Sequence, residues 1–465
     1  MDKKVDYELL IIGAGPGGYV AAIRASQLGL KAAVIEKDKP GGVCLNIGCI
    51  PSKALIHQAE IFRSISGLEE MGIKVDRKDL NYKKVFAKSR AAADQLSKGV
   101  QFLLKKNKVE VIKAEVVKIR SGEVELQDGR IITGNNIIIS TGSRPREITG
   151  FEFDEKIILS STGALMMEEL PSSMLVLGSG AIGVEFAHVM NAFGVEVHLV
   201  EMLDRILPLE DDETVDVLYK SFKKRGISIY TSTKALSQKE SDGKRQVLLE
   251  DKESRQTTIV VEKILVSAGR IPNTDKLGLK DAGIETDQSG YITFGDFYQT
   301  SLAGVFAIGD IIRTPQLAHV ASREGEIVVE HIAGKNPEAV IDSLSIPGAT
   351  YCEPQIASFG LTERQAIEKS ISYKKLIFPY RGIGKAVATE HSEGLVKILL
   401  DSETEEILGA HVAGAQATEL IHELLLARNS ELLPEDITSM VHAHPTLSEG
   451  IMEAMREANE GAIHI

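Results

Sequence analysis

Cysteine is scarce in this chain, with three residues in 465. That number excludes a secreted domain stapled by disulfides and makes a reducing cytoplasm the expected setting. Long apolar runs are also missing. No stretch approaches the roughly 20 apolar residues that cross a bilayer, and the apolar pattern starts at Val5, so neither a signal or transit peptide nor a membrane partner is expected. Positive charge is in deficit: 53 Lys and Arg face 66 Asp and Glu, a net charge of −13. A polyanion such as nucleic acid is therefore not an expected partner. What the chain does have is length, enough for two to four domains.

It also has an internal echo. LLIIGAGPGGYVAAIRASQLGLKAAVIE (9–36) matches MLVLGSGAIGVEFAHVMNAFGVEVHLVE (174–201) at an offset of 165 residues. Gly13, Gly15, Gly18 and Glu36 thereby fall on Gly178, Gly180, Gly183 and Glu201. Each copy runs from an apolar strand through G-x-G-x-x-G into a helix with small residues. A second apolar strand then ends in an acid 23 positions after the first glycine. This is the pattern of a dinucleotide-binding βαβ unit: glycines for a tight turn, close backbone approach to the pyrophosphate and helix–strand packing, and an acid for ribose hydroxyls. An anion at that place repels the extra phosphate of NADP, so NAD is the expected pyridine nucleotide.

A second echo pairs NIIISTGSRP (136–145) with KILVSAGRIP (263–272), strands expected to close the two units. In LAGVFAIGD (302–310), Asp310 ends a strand and either reaches a ligand hydroxyl or caps the next helix. The expected fold class is α/β, with two Rossmann-like dinucleotide-binding domains and a C-terminal α+β domain. The first domain is expected over 1–145 and 271–340, the second over 146–270, and the C-terminal one over 345–465. Charge alternation and helical spacing over 57–110 predict helices packed over the first sheet.

Two of the three cysteines stand close together in GGVCLNIGCIPSK (41–53). Five residues of regular helix rise about 7.5 Å, beyond the roughly 6.8 Å ceiling for Cα atoms of a disulfide. A bonded Cys44–Cys49 pair therefore requires a break in the helix, which Gly48 can supply. So small a loop stabilises by only roughly 2 kcal/mol, which favours a redox-active role over a structural one. The spacing is not that of common zinc sites, and no metal is expected. Cys352 reads as packing. For thiol chemistry a base is needed, and HAHPTLSEG (442–450) offers His444 with Glu449 five residues on. Glu449 either orients His444 or closes a T-x-x-E capping box with Thr446. His442 reads as structural.

These stretches, together with EMLDRILP, GVFAIGD and QLAHVASREG, resemble the pyridine nucleotide-disulfide oxidoreductases over nearly the whole chain. Within that family they are similar to the branch that oxidises protein-bound dihydrolipoamide with NAD. The resemblance implies FAD in the first domain, held by Gly13, Gly15, Gly18, Glu36, Lys53, Ala114, Thr141, Gly142, Asp310 and Ala318. It implies NAD in the second, held by Gly178, Gly180, Gly183, Glu201, Ala235 and Gly269. It further implies a homodimer and, as partners, lipoyl domains of separate acyltransferase or glycine-cleavage carrier proteins. Cys49 is implied to exchange with substrate sulfur and Cys44 to face the flavin. The resemblance also implies that Glu185 pairs with Lys53 and that His444 of the other subunit acts as base, held by Glu449. Three positions depart from the pattern: Val43 and Cys352 stand where Thr is frequent, and Gln355 where Glu is.

Overall fold

The computed structural model describes residues 5–459 and 461–465; the first four residues of the expected first domain lie outside them. The strand Tyr7–Ile12 buries all of Leu9–Ile12, as a strand covered on both faces must. It pairs in parallel with Ala32–Glu36 on one side and Ile131–Ile139 on the other. Glu110–Lys113 extends the sheet beyond Ala32–Glu36. Late in the chain, Val305–Ala307 adds in parallel to Ile131–Ile139. An antiparallel meander, Val116–Arg120 and Glu123–Leu126, completes the seven strands.

The second copy builds a five-stranded parallel sheet in the order Ser228–Tyr230, Glu196–Val200, Ser173–Leu177, Lys263–Val266, Ile158–Leu159. A three-stranded antiparallel sheet, Thr233–Ser241, Lys244–Asp251 and Gln256–Val261, lies beside it. The chain leaves the first sheet through Ser143–Pro145 and returns through Arg270–Pro272, and these two segments pair antiparallel. The expected helical insert consists of Cys49–Arg63, Ile65–Glu70 and Tyr82–Lys106.

Beyond residue 347, five antiparallel strands run in the order Gly348–Thr350, Gln355–Gly360, Ile407–Gly414, Leu395–Asp401, Tyr373–Pro379, with helices Ala417–Asn429 and Glu449–Arg456 against them. This layer is bolted to the second unit by Lys397, which is fully buried. Its ammonium contacts Asp211 at 2.8 Å, Glu363 at 2.7 Å and Glu213 at 2.5 Å. A buried cation is tolerable only with such compensation. Among the described residues no helix is long and apolar enough to cross a membrane.

Candidate active site

Two glycine cradles frame the site. Gly13 and Gly178 turn with φ of +100° and +97°, which only glycine adopts freely. A side chain on Gly18 would place its Cβ 1.9 Å from the Gly13 carbonyl oxygen, and one on Gly183 would lie 2.0 Å from that of Gly178. Beside Gly15 and Gly180, by contrast, the space is open. The cradles are thus closed toward the protein and free where a phosphate would rest on the helix N-terminus.

The two acids are held alike. Glu36 accepts from the Ala14 N–H at 2.7 Å and the Asp38 N–H at 2.7 Å. Glu201 accepts from the Ser179 N–H and hydroxyl at 2.9 and 2.8 Å and from the Leu203 N–H at 3.0 Å. Both carboxylates are fixed at strand ends beside the glycine turn, where ribose hydroxyls are read. A cleft of about 330 Å³ opens along the first cradle, lined by Gly13, Glu36, Ala114, Thr141, Asn273 and Leu277 among others. Gly142 takes φ +68° and its carbonyl accepts from the Asn273 N–H at 2.9 Å.

Asp310 does not cap a helix. Its carboxylate accepts from the Ser143 hydroxyl and faces Arg270 at 3.7 Å, while the helix Ala318–Ile332 starts eight residues on without a side-chain cap. Ser143 and Arg270 were not singled out from the sequence. The signal for Arg270 is a cation placed directly after an apolar strand and a glycine of φ +102°, Gly269. Ala235 lies on the antiparallel sheet opposite Leu249.

The cysteine pair sits where the helix breaks. Gly42–Ile47 forms a short helix, and Gly48, at φ −151° and ψ −115°, separates it from Cys49–Arg63. A Cβ on Gly48 would lie 2.8 Å from the Val43 carbonyl oxygen. The anchoring comes from Tyr82–Lys106, where Arg90 donates to the Asn46 carbonyl and Ser97 to that of Pro40.

Cys49 opens its helix, and Lys53 follows one turn later on the same face. Both surroundings favour a thiolate. The hydrogen bond from Cys44 lowers the Cys49 thiol to about 7; burial opposes this and the Lys53 charge assists it. Cys44 is pushed up by that same bond and by burial, so it keeps its proton. Lys53 donates to both oxygens of Glu185 at 2.9 Å. Burial disfavours its charge, but Glu185 outweighs burial, so its pKa is raised.

His444 lies beside Gly384, with a side chain 76% exposed. Its Nδ1 is 2.8 Å from Glu449, and the other oxygen of Glu449 accepts from the Thr446 N–H at 2.8 Å. Orientation and half of the capping box thus coexist. With Nδ1 donating to Glu449, Nε2 is left as an exposed base. The His442 side chain is largely covered and pairs with Glu423 at 3.0 Å. Cys352 is fully buried, and its thiol donates to the Pro354 carbonyl. Gln355 accepts from the Thr418 hydroxyl at 2.9 Å.

A thiolate-forming cysteine pair set against two dinucleotide cradles defines an enzyme that moves electron pairs between thiols and a pyridine nucleotide. Residues 7–325 match the model for the pyridine nucleotide-disulphide oxidoreductases, and residues 346–455 match that family's dimerisation domain. The chain belongs to this family, and its dimerisation domain supports a homodimer. It is 41% identical over 472 residues to a dihydrolipoyl dehydrogenase of Bacillus subtilis, covering 99% of both chains. To one from Thermus scotoductus it is 42% identical, again with 99% coverage of each. Among solved structures it is similar to LpdA from Mycobacterium tuberculosis, with a TM-score of 0.88 and 26% identity over 97% of this chain and 99% of that one. The two cradles fit the dinucleotides of this family, FAD and NAD.

Proposed function

We propose that this chain is a dihydrolipoyl dehydrogenase, oxidising protein-bound dihydrolipoamide to lipoamide with NAD as acceptor. The observation that carries the reading is the Cys44/Cys49 pair, with Lys53 and Glu185 beside it, set between two matched cradles. FAD would be held in the first cradle, contributed by 1–145 and 271–340, by Gly13, Gly15, Gly18, Glu36, Lys53, Ala114, Thr141, Gly142, Asp310 and Ala318. NAD would be held in the second, within 146–270, by Gly178, Gly180, Gly183, Glu201, Ala235 and Gly269. Residues 345–465 join two subunits, so that His444 and Glu449 of one serve the cysteines of the other. The enzyme works in the cytoplasm on lipoyl domains of separate acyltransferase or glycine-cleavage carrier proteins.

The charge distribution supports a division of labour between the cysteines opposite to the sequence expectation. Cys49, stabilised as an anion by its helix N-terminus and by Lys53, is the better leaving group and electron donor, and Cys44 is the sulfur attacked. His444 of the partner subunit takes the proton of one substrate thiol at Nε2, with Glu449 holding the ring and stabilising its charge. The substrate thiolate attacks Cys44; the Cys44–Cys49 bond breaks and Cys49 leaves as a thiolate beside Lys53. The first proton passes from Nε2 to solvent, His444 takes the proton of the second substrate thiol, and that sulfur attacks the first and closes the lipoamide disulfide. Cys44 leaves and takes its proton from His444. Two electrons have then passed from the substrate to the protein pair. Bound in the first cradle, FAD would supply the two-electron relay from this pair to NAD.

The test mixes flavin-loaded protein with dihydrolipoamide and either NAD or NADP, following reduced nucleotide by absorbance. Turnover with NAD, abolished by Cys44→Ser, is expected. Flavin bleached by NADH without lipoamide turnover would overturn the substrate while leaving both cradles in place.

A further inference from the structure

The Lys53–Glu185 pair joins two domains, and a third body reaches it. Where the C-terminal domain begins, the N–H of Tyr351 donates to Glu185 at 3.1 Å, and its ring lies under the Lys53 ammonium, 4.5 Å from the centroid. One residue therefore grips both members of the pair, the anion through its backbone and the cation through its ring. The grip is itself anchored. Arg225 donates to the Glu353 carbonyl at 2.6 Å, Cys352 is fully buried, and the Glu353 carboxylate pairs with Arg63. Arg63 closes the helix that Cys49 opens. The segment 351–353 thus touches that helix near both ends, through Lys53 at its start and Arg63 at its finish.

A lysine side chain has four rotatable bonds and a strongly hydrated head, so one carboxylate does not fix where its charge lies. An aromatic face opposite that carboxylate narrows the choice, because attraction to the ring opposes a swing of the ammonium toward solvent. We propose that Tyr351 is a positioning residue for the Cys49 thiolate, its ring and backbone N–H holding Lys53 and Glu185 at fixed places beside that sulfur. This rests on the dithiol chemistry proposed above and assigns to it a residue of the C-terminal domain. The coupling also makes thiol reactivity depend on how that domain is seated.

The pH dependence of Cys49 alkylation by iodoacetamide tests the role without any lipoyl substrate. It is read in reduced, flavin-loaded Cys44→Ser protein, where the serine hydroxyl can still donate and the remaining cysteine, Cys352, is buried. Tyr351→Phe is expected to keep the profile. Tyr351→Leu is expected to raise its midpoint by about one pH unit, a tenfold loss of thiolate at a given pH below it, as befits loss of a partly desolvated cation–π contact. Added to Lys53→Met, it is expected to shift nothing further.

Stepwise fluorinated phenylalanines at 351 keep the ring's shape while weakening its negative face, and are expected to raise the midpoint in step. A folded Tyr351→Leu protein with an unmoved midpoint would overturn the proposal, as would a flat fluorination series, which decides the matter if the leucine variant does not fold. Absent lipoamide turnover with the alkylation shifts intact would instead overturn the substrate reading and leave the role of Tyr351 standing.

Discussion

The two dinucleotide units are nearly the same object locally and different objects in context. Their glycine turns, anchored acids and closing serines coincide: Ser140 donates to the carbonyls of Ile12 and Gly13, and Ser267 to those of Leu177 and Gly178. The helices that follow diverge. In the first unit, Pro16–Gln27 meets its own domain's Ala318–Ile332 through glycine, with a Cβ on Gly17 lying only 2.9 Å from the Ala321 carbonyl oxygen. In the second, Ala181–Ala192 packs on the cysteine-bearing helix and is buried on nearly every side. Where the first helix has Val20, the second has Glu185. The second helix thus brings to the cysteine-bearing helix one buried acid, Glu185, that accepts from Lys53.

The largest effect should come from breaking the shared part on one side only. Gly18→Ala is expected to abolish flavin retention and destabilise the protein by about 3 kcal/mol, since the backbone must move to admit the methyl group. Gly183→Ala should leave flavin bound and remove nucleotide turnover. Flavin content and thermal unfolding would separate the two outcomes, and equal loss of flavin in both would break the comparison. Next comes Glu185→Val, which makes the second helix match the first. It leaves Lys53 unpaired and is expected to lower kcat for lipoamide oxidation about a hundredfold, with flavin content unchanged as the control.

The anchored acids should give a smaller effect. Glu201→Ser removes a charged acceptor for the ribose and is expected to raise KM for NAD about thirtyfold and narrow the preference over NADP. Glu36→Ser should act on flavin affinity and leave that preference alone.

The smallest effect concerns pH. Glu324, fully buried in the first unit, is raised to about 7 by burial, although one oxygen accepts from the Gly309 N–H at 2.6 Å. A carboxyl whose folded value is raised costs stability above its unfolded value of about 4.3. That cost grows until pH passes the folded value, so Glu324→Gln should raise stability by about 1–2 kcal/mol at pH 8 and not at pH 4. At the junction around Lys397 the sign is opposite. Burial opposes ionisation of Asp211 and Glu363, but Lys397, with help from neighbouring donors and, for Asp211, from His411, outweighs it and holds both carboxyls low. Their contribution persists at neutral pH and is lost as pH falls through those lowered values. Hydrogen exchange in acid should therefore open this junction before the first sheet.

Much of this was legible because its causes are local. A glycine turn, an apolar strand and an acid at a fixed offset are geometric demands satisfied within thirty residues, and they showed twice. The helix break at Gly48 followed from the same kind of constraint. What was not legible depends on residues far apart in the chain. Ser143, Arg270 and Asp310 assemble across more than 160 positions, Tyr351 reaches Lys53 from nearly 300 away, and Lys397 gathers acids from two domains. The roles of Cys44 and Cys49 belong here as well. Spacing shows a pair, but which sulfur holds the negative charge depends on the helix start and on Lys53.

The antiparallel ribbon of Ser143–Pro145 and Arg270–Pro272 has a consequence for synthesis. Seen from the first sheet, the whole second unit is a hairpin loop whose two ends are clasped together. The strand Val305–Ala307 and the helix Ala318–Ile332, which the first sheet needs, emerge from the ribosome after that loop is finished. The guest is therefore complete before its host, and the strand Ile131–Ile139 must wait, apolar and open along one edge, for a partner made some 170 residues later.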